Sequence, residues 1–160
     1  METFGNRLPT IMHVDINSCF ATIEQQANPL LRGKPIVVAA YTTARGCILA
    51  ASVEAKRLGI KTGMRVSEGK NLYSRLIVLP PDPEKYRWIN HKLRILLSSY
   101  TSYLSVESID EMVMDVAHAP RTDTISLAHE IKRRIKQEIG EWLTVSIGIA
   151  PNRYLAKVAS

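Results

Sequence analysis

Segments of strand period and helix period alternate along all 160 residues, and this alternation restricts the chain to an α/β or α+β domain. Ile11 to Ile16 (IMHVDI) is a short apolar strand beside an acid, and Ser18 to Ala27 is a helix stopped by Asn28-Pro29. Ile36 to Ala40 and Gly46 to Ala50 are strands, and Ser52 to Leu58 is a helix ending at Gly59. A further short helix lies within Gly63 to Asn71. The strand Leu76 to Leu79 (LIVL) is ended by Pro80-Pro81-Asp82-Pro83.

From Glu84 to about Tyr100 the apolar positions Tyr86, Ile89, Leu93, Leu96 and Leu97 fall at helical spacing. A β-hairpin follows around Leu104 to Val116, and a second long helix covers Thr122 to Ile139 with Ile125, Ala128, Ile131, Ile135 and Ile139 on one stripe. Leu143, Val145, Ile147 and Ile149 alternate with small or polar residues, the period of a strand, and a last helix begins after Pro151. With residues 28 to about 75 set aside, the order is β-α-β-α-β-β-α-β-α. That predicts an α+β, ferredoxin-like layout: an antiparallel sheet with helices packed on it, and a small inserted lobe rich in Gly and Lys/Arg.

Composition narrows the partners. Lys and Arg outnumber Asp and Glu by 21 to 15, a net charge of +6, which favours anionic partners such as nucleic acid or nucleotides. The two cysteines, Cys19 and Cys47, form no CxxC or Cys/His cluster, so a disulfide framework and a structural zinc site are excluded; both read as buried small hydrophobes. The start METFGNRLPT has no apolar stretch of signal-peptide length and nothing later approaches a membrane span, so a cytoplasmic protein without membrane contact is expected.

Three carboxylates carry the candidate chemistry. Asp15 ends the first strand, and Asp110 and Glu111 stand together in ESIDEMVMDV at the entrance of a later one. Neighbours on a regular strand face opposite sides, so Asp110 and Glu111 share a site only at the turn or bend that starts the strand. Such acids are either solvated strand ends or a cluster whose repulsion a divalent cation relieves, and spacing alone leaves both open.

The surrounding residues bring in a resemblance. HVDINSCFATIE resembles the first palm motif of Y-family (translesion) DNA polymerases, SIDE before an apolar strand resembles their second, and SIGIAPNRYLAKVAS their third. GCILAASVEAKRLGIKTGM resembles the fingers segment, so the resemblance covers about residue 11 to 160. It implies palm at 1–27, fingers at 28–75 and palm again at 76–160, ending before a thumb and a separate DNA-gripping (little finger) domain.

The resemblance further implies two Mg²⁺ ions, with Mn²⁺ able to substitute, held by Asp15, Asp110, Glu111 and the main-chain carbonyl of Ile16. Asn17, Cys19, Phe20, Lys56 and Lys157 would meet the nucleotide: Phe20 as the ring that excludes a 2′-hydroxyl, the two lysines on the triphosphate. Cys19 stands where an aromatic is usual and Asn17 where Asp is frequent. Val53 and Ala50 replace a Tyr and a Thr that offer hydroxyls to phosphate, a fingers motif nearer the bacterial polymerase V catalytic branch than polymerase IV; Arg45 is then a further candidate for phosphate.

Glu107 and Asp115 read as strand-surface residues, and Lys132, Arg133, Arg134 and Lys136 as a solvated helix face. The implied activity is error-prone DNA synthesis across damaged template in DNA repair, with primer-template DNA and dNTPs as partners and a sliding clamp engaged through a missing C-terminal region. The alternatives are a non-catalytic accessory relative, an inactive fragment, or a nucleotide cyclase of the same architecture, which would leave SIGIAPNRYLAK and VEAK unexplained.

Overall fold

A computed structural model describes residues 9–118 and 123–160; the expected helix start at Thr122 and the segment 1–8 lie outside the described residues. The chain forms two units, one of Met1–Ile16, Asn90–Ile139 and Thr144–Ser160, the other of Asn17–Ile89 and Gly140–Leu143.

The first unit is built on an antiparallel sheet in the order β5 (Leu104–Val106), β6 (Glu111–Asp115), β1 (Ile11–Ile16), β7 (Val145–Ala150). Strand alternation separates its two faces. Met12 and Val14 of β1 lie beside Met114 and Met112 of β6, and all four are fully buried. Ile11, His13 and Asp15 point the other way, beside Asp115, Val113 and Glu111. Helix α5 (Thr124–Arg134) packs on β7, and its N-cap Asp123 accepts from the backbone N–H groups of Ile125 and Ser126. It continues as a π-helical turn over Ile135–Ile139.

Ile125 departs from the expected stripe. It is 64% exposed, and Leu127 takes its place beside the buried Ala128, Ile131 and Ile135. Two residues after the cap, Ile125 stands on the outer side of the first turn.

Helix α6 (Arg153–Ala159), capped by Asn152, lies directly on β7 and β1. Gly148 makes that possible: a Cβ there would stand 1.9 Å from the Ala156 carbonyl oxygen.

The second unit holds a three-stranded sheet in the order β3 (Ile48–Ala51), β2 (Ile36–Ala39), β4 (Ile77–Leu79). The LIVL strand was expected in the antiparallel sheet; it instead pairs parallel with β2, Ile36 opposite Ile77 and Val38 opposite Leu79. Its composition explains this, because an apolar run with no polar alternation suits a sheet covered on both faces. One face of that sheet joins Val37, Ala39, Ile48 and Ala51 to α2 (Val53–Arg57) and α3 (Val66–Leu72) through Ala55 and Val66. The other joins Ile36, Ala50, Ile77 and Leu79 to α1 (Cys19–Ala27) through Phe20 and Ala21.

Helix α2 ends as the sequence predicts, with Gly59 at φ +84 in the left-handed region that glycine adopts without cost. Cys19 is buried as expected, but Cys47, just before β3, is exposed. Helix α4 covers Pro83–Ser98. Among the described residues no helix is long and apolar enough to cross a membrane.

Candidate active site

Three acids meet at one end of the antiparallel sheet. Asp15 and Glu111 are direct register partners across β1 and β6. The β5–β6 connection turns so that the Asp110 carbonyl accepts from the Ile16 N–H at 3.0 Å. Glu111 is the first residue of β6, so Asp110 belongs to the turn and escapes the alternation that would send it to the opposite face.

Ser108 fixes this turn. Its hydroxyl accepts from the Glu111 N–H at 3.1 Å and donates to Asp110 Oδ1 at 2.6 Å. The Asn90 side-chain amide donates to the Ile109 carbonyl at 2.9 Å.

Lys157, on α6, donates from Nζ to Glu111 Oε2 at 2.9 Å, and Arg153 on the first turn of that helix stands 3.4 Å from Glu107. These residues line a cavity of about 180 Å³ together with His13 and Tyr154. His13 is 1% exposed, with Nδ1 2.9 Å from the Ser160 hydroxyl. That hydroxyl gives its proton to the Lys157 carbonyl at 2.9 Å, so His13 Nδ1 is the donor in the first contact.

Burial, then repulsion from Asp110 and Glu111, hold the Asp15 carboxyl above its ordinary range; His13 and Lys157 oppose this. The Glu111 carboxylate in turn holds the Lys157 ammonium above its own. Among the described residues no three His, Cys, Asp or Glu side chains are grouped so as to hold an ion; Glu111 is engaged by Lys157 and Asp110 by Ser108. The donor chemistry nonetheless fits a hard divalent cation: carboxylate oxygens, with repulsion at Asp15 that such a charge would remove.

A stability prediction follows from Asp15. A carboxyl whose folded-state pKa is raised contributes stability at acid pH and loses it as pH rises through that pKa. In chelator, Asp15→Asn should therefore melt higher than the native chain at neutral pH, by about 2 °C, with a gap that grows from pH 4 to 7. Thermal melts across that range check it; a lower melting point at pH 7 would refute the repulsion.

Asn17, Cys19, Phe20 and Lys56 belong to the second unit. Cys19 is buried at the start of α1, Phe20 is half-buried beside it, and Lys56 is exposed on α2. Ala50 is buried in the β3 core and Val53 is 44% exposed at the start of α2. Sequence reasoning missed His13, Ser108, Arg153 and Ser160. Only His13, two residues before Asp15 and so on the same strand face, left a signal in the strand period.

Known proteins match along nearly the whole chain. The sequence model of the impB/mucB/samB family matches residues 14–160. DNA polymerase IV of Bacillus velezensis is 41% identical over 152 residues, 94% of this chain and 36% of that protein. DNA polymerase IV of Stenotrophomonas maltophilia is 40% identical, covering 96% and 42%.

Among solved structures, a chimeric Dbh–Dpo4 Y-family DNA polymerase superposes with a TM-score of 0.85 at 32% identity, over 92% of this chain and 44% of its own. An insertion ternary complex of Dbh DNA polymerase gives 0.84 at 33%. The chain thus spans about two fifths of the length of the proteins it matches.

Proposed function

The chain belongs to the impB/mucB/samB family, and from that membership and the fold it shares with Y-family DNA polymerases we propose that it carries the nucleotidyl-transfer centre of a template-directed translesion DNA polymerase. The observation that supports this most is the meeting of Asp15, Asp110 and Glu111 at one sheet end with Lys157 set against them.

We assign Asp15, Asp110, Glu111 and the Ile16 carbonyl to two Mg²⁺ ions, with Mn²⁺ able to substitute. These groups would hold the ions, which would supply charge neutralisation and a lowered proton affinity at the attacking oxygen when a primer 3′-hydroxyl displaces pyrophosphate from the dNTP α-phosphate. Lys157 exchanges Glu111 for the triphosphate, and Lys56 supplies a second cation. Phe20 faces the sugar, and Asn17 and Cys19 complete the nucleotide pocket. Catalysis on this reading is positioning and charge neutralisation.

The palm takes in the antiparallel sheet, with ranges 1–27 and 76–160, and the fingers take in 28–75; the pairing of β4 with β2 argues for extending the fingers to Leu79. Val53 and Ala50 support a fingers motif of the polymerase V catalytic branch. Primer-template DNA and dNTPs are the partners, with a sliding clamp as a further one. The cytoplasm is the compartment this reading assigns.

The test is incorporation by the full-length protein on primed DNA with Mg²⁺ and dNTPs. Template-directed addition that stops in chelator supports the reading, whereas no addition, or addition indifferent to the template, refutes it. Retention of all three acids argues against a non-catalytic accessory role.

A further inference from the structure

Phe20 and Glu24 lie one helical turn apart on α1, so one face of the helix presents both a ring and a carboxylate. Tyr86 of α4 spans the pair. Its ring stacks on Phe20, with centroids 4.3 Å apart and planes inclined by 13°. Its hydroxyl donates to Glu24 Oε1 at 3.0 Å.

Glu24 is itself buried, 7% exposed, and its second oxygen accepts from Lys85 Nζ at 2.7 Å. Asp82 stands 3.4 Å from the same ammonium. Tyr86 is 3% exposed, and burial with the neighbouring Glu24 charge pushes its phenol far above the ordinary range, so it stays a proton donor. On its remaining sides Phe20 packs against the cluster of Ala21, Ile36 and Ala50.

A ring that rejects a hydroxyl by contact must be unable to recede. Phe20 alone has two side-chain torsions and is only partly buried. Stacking on a second ring that is pinned at its far end by a neutralised, buried carboxylate removes that freedom, and close-packed surroundings pass the restraint on. We infer that Tyr86, anchored by Glu24 and Lys85, is a positioning residue that sets the depth of Phe20 in the nucleotide pocket and thereby the preference for deoxyribonucleotides over ribonucleotides. The inference rests on the reading of Phe20 as the sugar-facing ring.

The experiment measures kcat/KM for one templated dNTP and its rNTP counterpart, in the full-length polymerase and in Phe20→Ala, Tyr86→Ala and Tyr86→Phe. The readout is the ribo-to-deoxy ratio, which a general loss of folded enzyme leaves unmoved because it lowers both terms. Tyr86→Ala is expected to raise the ratio about tenfold, the scale on which a pocket rejects one small group. Tyr86→Phe, which keeps the stack and removes the anchor, is expected to raise it about threefold.

If Phe20→Ala relaxes the ratio and neither Tyr86 variant does, the inference is overturned and the reading of Phe20 stands. If Phe20→Ala leaves the ratio unchanged, both fail. Should Tyr86→Ala not fold, Tyr86→Phe decides alone, since it conserves ring volume; an unchanged ratio there overturns the inference.

Discussion

Asp110→Ala is expected to lower kcat/KM for primer extension by about 10³-fold or more while the fold stays intact. The two halves of that expectation come from different atoms of one residue. The main-chain carbonyl of Asp110 holds β1 through the Ile16 N–H, and alanine keeps it. The carboxylate, accepting from the Ser108 hydroxyl, is the part that a cation needs. Steady-state kinetics beside a thermal melt separate them. Activity within about tenfold of native would remove Asp110 from the metal assignment.

Gly148→Ala is expected to cause the largest loss of stability, about 3 kcal/mol or more, lowering the melting temperature by roughly 6–12 °C. The added Cβ would lie 1.9 Å from the Ala156 oxygen, 2.5 Å from the Ser160 nitrogen and 2.8 Å from the Ala159 carbonyl carbon. All three are backbone atoms of α6, so no side-chain rotation relieves the contact. Either α6 lifts from β7, carrying Lys157 away from Glu111, or the strand bends. Calorimetry checks it, and a drop below about 2 °C would mean that α6 shifts freely.

The short apolar run Ile11–Ile16 made β1 legible, and the sharing of a site by Asp110 and Glu111 required a turn at the strand entrance, where the structure has one. Motif spacing likewise put Lys157 on a helix close behind β7, because only two residues separate Ala150 from Arg153. Partner choice was not legible. The LIVL run satisfies either sheet by local pattern, and its parallel pairing with β2 depends on a surface assembled from α1 and two strands.

Helix phase failed at Ile125 because that residue, two past the cap, stands on the outer side of the first turn and Leu127 takes the buried place. Ser108 and Ser160 act through single hydroxyl protons on neighbouring groups, and hydroxyls leave no periodic trace.

The position of β1 inside its sheet has a consequence for synthesis. Among the described strands it comes first in the chain, yet its two neighbours, β6 and β7, begin only at Glu111 and Val145. At translation rates of about 5–20 residues per second, β1 waits roughly 7–27 s before its second edge is covered. For that interval Met12 and Val14, fully buried in the finished sheet, stand on a strand with an open edge. The central pairing of this sheet is therefore completed only after most of the 160 residues have been made.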